Sequence, residues 1–339
     1  MATKPSGDRA FLAGLLLIIT LGLTFPEWGV AGERLDKIRL VHSNRGGSQA
    51  IAAVVQEAGI FKKYGLDLEM IFIAGTLSIK SLLAGEVQMA LAAGPAAALA
   101  RLAGGDIVVI MGLLNTMDHV LFGDKRIARI QDLRGGKIGV STFGALDDVS
   151  ARYVLRKFGL QPDQDVTILQ LGGQPVRIAA LQSGSVHATL LQPPLTVRAR
   201  KMGFNELAAM ADLGLNYQGA SVVTTGSYMK QREEVVKRFV KAMVEGIHFY
   251  KTQKEASMRS IARFMQLKDH EAIEETYAHY AVKMTPTAPY PSLEGMRIIL
   301  QGLERENPKA KGADAREFVD ARFVKELEES GFFKQLYGK

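Results

Sequence analysis

The 339-residue chain has no cysteine. That absence excludes disulfide bonds, thiol catalysis and a lipid-modified cysteine anchor. No Walker sequence and no GxGxxG follows any strand-like segment, so nucleotide binding has no support. The six histidines (His42, His119, His187, His248, His270 and His279) lack metal-ligand spacing such as HExxH, and no metal or cofactor is expected. Basic residues are not gathered with aromatics on one element: 42 Lys and Arg lie scattered among 35 Asp and Glu, which sets nucleic acid aside as a partner. Adjacent Asp147 and Asp148 imitate a catalytic carboxylate pair, but two acids in the first turn of a helix are explained by its dipole.

Long apolar runs are also absent, with one exception. Lys4 and Arg9 precede an apolar stretch from Ala10 to Phe25, followed by small residues around Gly29, Ala31 and Gly32. This is the three-part layout of a secretory signal, and the run is shorter than the ~20 residues of a spanning helix. Residues 1–32 are expected to be that signal, cleaved after Ala31 or Gly32, and the mature protein is expected free in a periplasm. An uncleaved anchor is the alternative. The formal charge of +7 lies wholly beyond residue 31, because Lys4 and Arg9 cancel Asp8 and Glu27. It mildly favours small anions as ligands. With 47% hydrophobic and 23% charged residues, the chain is globular and long enough for two lobes.

What is present is an internal echo. "IRLVHSN" at 38–44 is matched by "IGVSTFG" at 138–144, each a short strand ending in a polar seam. A helix follows each and closes on "KKYGL" at 62–66 or "RKFGL" at 156–160. A second strand comes next, "LDLEMIFI" or "DVTILQL". Then "SLLAGEVQMALAAGP" at 81–95 meets "ALQSGSVHATLLQPP" at 180–194, aligning Gly85 with Gly184 and Pro95 with Pro194. The repeated unit is strand, helix, strand, helix, strand, which predicts crossover connections and parallel pairing in each half. Such sheets bind ligands beyond the carboxyl ends of their strands, where helices begin with unpaired N–H groups. A single seam such as Ser141 to Gly144 also fits an ordinary capped turn; two copies facing each other favour one cleft.

Beyond residue 227 the chain turns helical, with apolar residues three and four apart on "KQREEVVKRFVKAMVEGIHFYK", "KEASMRSIARFMQ", "HEAIEETYAHYAVKM" and "DAREFVDARFVKELEESG". These helices are expected to cover the first lobe. "YQGASVVTTGS" at 217–227 reads as the strand that returns the chain to it. The hinge is placed near 121–127 and 215–223.

Taken in order, "QEAGIFKKYGLDLEMIFI", "LLAGEVQMALAAGP", "IQDLRGGKIGVSTFG", "GLQPDQDVTILQLGG" and "AALQSGSVHATLLQPP" resemble the solute-binding proteins of ABC importers for nitrate, aliphatic sulfonates and taurine, whose relatives bind pyrimidine precursors of thiamine. The resemblance spans about 35 to 330. It implies an α/β type II periplasmic binding fold, two lobes with mixed sheets joined by a two-strand hinge. Residues 33–122 plus 224–339 would form lobe 1 and residues 123–223 lobe 2. His187 departs from the family, where an acidic residue is commoner.

The implied function is capture of a small solute, with sulfonate, nitrate, taurine or carboxylate favoured, and delivery to an ABC permease by a monomer without catalysis. A ligand-sensing protein without transport and a binder of a thiamine-precursor pyrimidine are the alternatives. The related enzymes, a fungal pyrimidine synthase and porphobilinogen deaminase, depend on cysteine. From the first lobe the cleft candidates are Ser43, Asn44, Arg45, Gly75, Thr76, Ser78, Gly94 and Pro95. From the second they are Ser141, Thr142, Phe143, Gly144, Gly172, Gly173, Gln192 and Pro193. Arg45 fits either a two-pronged grip on an anion or a solvated turn. Phe143 fits either stacking on a ligand or packing within the second lobe.

Overall fold

The computed structural model describes residues 35–73, 77–304 and 307–338. The expected signal segment, Gly75 and Thr76 lie outside them. The first half runs β1 (Asp36–His42), α1 (Ala50–Glu57), the single turn α2 (Ile60–Lys63), β2 (Leu66–Phe72), α3 (Leu77–Leu83), β3 (Met89–Ala93), α4 (Gly94–Leu102) and β4 (Val108–Gly112). The second runs β5 (Val120–Gly123), β6 (Lys137–Val140), α5 (Leu146–Lys157), β7 (Thr167–Gln170), α6 (Gln174–Gln182), β8 (Ala188–Leu191), α7 (Leu195–Lys201) and β9 (Asn205–Ala209). β10 (Ala220–Thr224) follows. Then come α8 (Gly226–Gln231), α9 (Glu233–Thr252), α10 (Lys254–Met265), α11 (His270–Tyr277), a π-helical segment Ala278–Met284, α12 (Leu293–Leu303), α13 (Arg322–Glu329) and α14 (Phe332–Tyr337).

The echo has a backbone cause. Gly65 and Gly159 sit at φ 69° and 77°, and Gly85 and Gly184 at 75° and 74°, so each matched glycine ends a helix in a left-handed turn. The strand after it then starts in the same direction in both halves. Two five-stranded sheets result, ordered β2-β1-β3-β10-β4 and β7-β6-β8-β5-β9. In each, the first three strands pair in parallel, and an antiparallel strand enters between the third and the last.

Those antiparallel strands correct the expected hinge. Val120–Gly123 belongs to the second sheet, so 121–123 is strand interior, and Ala220–Thr224 belongs to the first. The ladders thus move 120–122 out of the first lobe and 220–223 into it, relative to the division drawn from sequence. The chain crosses between sheets at 113–119 and 210–219. The crossings are hydrogen-bonded to each other, Tyr217 N–H to Asn115 O at 3.1 Å and Gly219 N–H to Leu114 O at 2.8 Å. "DAREFVDARFVKELEESG" is also not one helix. Its middle is extended so that Asp320 N–H donates to Val109 O and Val109 N–H to Phe318 O, covering the edge of β4.

One face of the first sheet is buried by α1, α9, α10 and α13, with Val236, Phe239, Val240, Met243 and Ile247 of α9 at helical spacing in that core. A second core joins the other face of the first sheet to α5 and the second sheet, and Met117 and Tyr217 contribute to it from the crossings. The outer face of the second sheet has a smaller core with α6. The lobes also meet away from the crossings. Thr196 Oγ1 and Arg200 Nη1, on α7, each donate to Glu275 on α11 at 2.7 Å, and Lys201 pairs with Glu271 at 2.6 Å.

Candidate ligand-binding site

Where the strand ends of the two sheets face each other, a cleft of about 630 Å³ opens. Its first wall is the turn after β1. Ser43 and Asn44 donate their N–H groups to Gln49 Oε1 at 2.9 and 3.3 Å, and Gln49 Nε2 donates back to Ser43 Oγ at 3.0 Å. Asn44 Oδ1 accepts from Gly46 N–H at 2.7 Å. Arg45 is exposed, stacked 5.3 Å above the Phe72 ring, and has no carboxylate within 4.0 Å among the described residues. Ser43, Asn44 and Arg45 all line the cleft.

The second wall repeats the first. Ser141 N–H donates to Asp147 Oδ2 and its hydroxyl to Oδ1, both at 2.7 Å, with Asp147 six residues on as Gln49 is from Ser43. Arg177 of α6 donates through Nη1 to the same Asp147 oxygen, and both side chains are almost fully buried. Asp147 therefore does more than answer the helix dipole: it holds the seam and neutralises Arg177. Burial pulls the Arg177 guanidinium below its ordinary value while Asp147 opposes the shift. Asp148 closes the loop differently, accepting from Gly144 N–H at 2.8 Å and pairing with Arg152 at 2.9 Å.

Several candidates are placed elsewhere. Ser141, Gln192, Pro193 and Gly173 line the cleft, whereas Thr142, Phe143, Gly144 and Gly172 do not. Phe143 is 54% exposed, so its ring does not pack in the lobe, and it is not among the residues that line the cleft. Its N–H donates to Gln170 Oε1 at 3.1 Å. Gly94 and Pro95 are replaced in the lining by Ala93. The Gly94 N–H is already donated to Gln218 O and Gly219 O, so this helix start serves the crossing. Ser78 is buried on α3 and does not line the cleft. Gln192 and Gln174 close a reciprocal amide pair, Gln192 N–H to Gln174 Oε1 at 2.8 Å and Gln174 Nε2 to Gln192 Oε1 at 3.0 Å.

The floor was not foreseen. Asp118 and His119 on the first crossing line it, and Tyr280 from the π-helical segment donates its hydroxyl to Asp118 Oδ2 at 3.1 Å. His279 Nε2 lies 3.2 Å from Asp118 O. The only sequence signal was a pair of histidines without metal spacing.

Burial holds His119 and His279 below the ordinary 6.5, against the pull of Asp118. The unfolded chain therefore takes up these protons first as pH falls. Stability is complete above about 6.5 and declines below it. Melting at about pH 7.5 and about pH 5 is expected to show a lower Tm at the acid value, with a smaller drop in His119→Gln. Equal drops would remove His119 from the account.

The fold matches known structures. A putative sulfonate-binding protein from Methylobacillus flagellatus KT aligns with TM-score 0.74 and 17% identity over 90% of this chain and 96% of its own. The nitrate-binding protein NrtA from Synechocystis PCC 6803 aligns with TM-score 0.69 and 13% identity over 87% and 89%. The alkanesulfonate-binding protein SsuA from Xanthomonas axonopodis pv. citri, bound to MOPS, aligns with TM-score 0.66 and 18% identity over 84% and 98%. With the sheet order above, this is the type II periplasmic binding protein fold. No curated protein matches the chain in sequence. Residues 49–257 match the family described as NMT1/THI5 like, a span running from Gln49 through every strand of the second sheet, and the chain belongs to that family.

Proposed function

We propose that the protein is the solute-binding component of an ABC importer, free in the periplasm after its signal is removed, and that it hands a small polar solute to a membrane permease. The observation that carries this reading is the cleft, lined by polar groups from both lobes and from the crossing between them. A ligand touching all three favours the closed arrangement by its differential contacts. The matched structures named as sulfonate- and nitrate-binding support the class, and the Asn44–Arg45 turn at the mouth supports an acceptor-bearing ligand.

A thermal-shift screen of the purified protein against nitrate, taurine, alkanesulfonates, carboxylates and thiamine-precursor pyrimidines tests the reading. A true ligand at about a hundredfold over its Kd adds about 2.7 kcal/mol of stability. Arg45→Ala is expected to lose most of that increment while melting normally without ligand, since Arg45 is exposed and has no carboxylate partner among the described residues. An undiminished shift in Arg45→Ala would discard the grip at the mouth, and no shift with any class would count against solute capture.

A further inference from the structure

The two crossings are not all that ties the lobes together. Helix α11 and the π-helical segment after it are anchored to the first lobe by α9, where the Tyr277 hydroxyl donates to Lys251 O and Lys251 Nζ to Ala281 O, each at 2.8 Å. From that anchor they reach three other places. Tyr280 donates to Asp118 on the first crossing, Lys283 pairs with Asp212 on the second at 2.9 Å, and Glu275 and Glu271 meet α7 of the second lobe.

The contact with α7 is a network. Glu275 Oε1 accepts from Thr196, which is fully buried, and from Arg200, which is steadied on its own lobe by Glu206 at 2.7 Å. Lys201, the last residue of α7, faces Glu271 in the first turn of α11, so each ion also answers the dipole of its own helix. Asp269 lies 3.8 Å from the same amine and caps α11 by accepting from Glu271 and Ala272 N–H. A lone exposed pair contributes little, but here Glu275 is mostly shielded and takes two donors of the other lobe.

This network flanks the cleft. Gly47 of the cleft wall lies so close to α11 and its continuation that an added Cβ would stand 2.8 Å from Thr276 and 2.3 Å from Tyr280, and α7 begins at the cleft-lining Leu195. Glu271 is about 13 Å along the helix from Tyr280 at the floor. A rotation about the crossings that draws the walls apart therefore pulls α7 away from α11.

We propose that α7 and α11 form an ionic latch, with Thr196, Arg200 and Lys201 on one side and Glu271 and Glu275 on the other, that holds the lobes together on one flank of the cleft before any solute enters. The latch is independent of which solute the cleft takes. A solute touching both lobes favours the same arrangement, so the latch sets the fraction of molecules already competent to bind, and apparent affinity falls with that fraction. Salt screens the ions and loosens it.

The lack of cysteine makes the test direct. Nitroxide labels at Lys80→Cys and Ala179→Cys, exposed positions on α3 and α6, report the lobe separation of the full chain without added solute by double electron–electron resonance. At low salt one short distance is expected to dominate. Glu271→Ala with Glu275→Ala is expected to raise the population at longer distance about fivefold, and about 0.5 M sodium chloride to do the same to the labelled parent but to add little in the variant. Glu274→Ala, which removes a pair with Lys254 inside the first lobe, is the control and is expected to match the parent. Identical distributions in parent and variant overturn the inference and leave solute capture untouched. A shorter distance in the variant also overturns it, since the pairs would then hold the lobes apart. An equal shift in Glu274→Ala, or an equal response of parent and variant to salt, assigns the effect to something other than these pairs. Should the double variant not fold, the salt series on the labelled parent decides the matter.

Discussion

Asp147→Ala is expected to destabilise the protein by about 3–5 kcal/mol, the cost of removing one partner from a buried ion pair. The carboxylate accepts from Ser141 N–H, Ser141 Oγ, Asp148 N–H and Arg177 Nη1, so alanine leaves four donors without it. Arg177 is 2% exposed and its Nε has no partner among the described residues, so its charge has no second carboxylate there to turn to. Arg177→Met is expected to cost a similar amount by stranding Asp147. The double variant Asp147→Leu with Arg177→Met removes both charges and is expected to be less destabilised than either single one, since desolvation offsets much of a buried pair's attraction. Urea denaturation followed by far-ultraviolet circular dichroism and by tyrosine fluorescence reads the result in both lobes. Single variants within about 1 kcal/mol of the parent would show that water replaces the pair without loss.

Gly295→Ala carries the second large effect. Gly295 lies in the first turn of α12, where an added Cβ would stand 2.4 Å from Gln218 N and 2.6 Å from Tyr217 C. These are main-chain atoms of the second crossing. Gly94 presses from the other side, its own added Cβ 2.3 Å from Gln218 O, and Ser292 N–H donates to Gln218 Oε1 at 2.6 Å. The crossing is thus seated between the starts of α4 and α12. Two effects compete in the substitution: alanine improves helix propensity by about 0.8–1.0 kcal/mol, and overpacking costs about 1–3 kcal/mol or more. The clash wins because backbone, unlike a side-chain tip, has no rotamer by which to withdraw. Gly302→Ala in the same helix is the control, for its added Cβ meets nothing within 4 Å. It is expected to raise Tm slightly. A Gly295→Ala protein as stable as Gly302→Ala would mean that α12 moves freely over the crossing.

Much of the frame was legible because it is repeated. Gly65, Gly85, Gly159 and Gly184 end helices in the same left-handed turn, and that local requirement writes itself twice into the sequence. Seam residues directly at strand ends, Ser43 to Arg45, Ser141, Gln192 and Pro193, were legible for the same reason. The antiparallel strands were not. Val120–Gly123 is buried on both faces and shows no alternation, and its partners in β8 and β9 lie 65 or more residues away in the chain. Thr142, Phe143 and Gly144 are exposed and off the cleft lining, in a loop whose Phe143 and Gly144 N–H groups are taken by Gln170 and Asp148, side-chain contacts that no periodicity announces. The floor was hidden by distance, since Tyr280 meets Asp118 across 162 residues of sequence.

The matched clamps, Gln49 on Ser43 and Asp147 on Ser141, separate two jobs within the same turns. Each turn is complete on its own hydrogen bonds, so neither needs cargo in order to fold. The Arg45 side chain, exposed above Phe72, takes no part in the hydrogen bonds that shape the main chain beneath it, so that position can be exchanged without disturbing them, whereas Asn44 holds Gly46 N–H. A lineage built on this frame can change its cargo one residue at a time, each intermediate still folding, and function is grafted onto a scaffold that does not register the change.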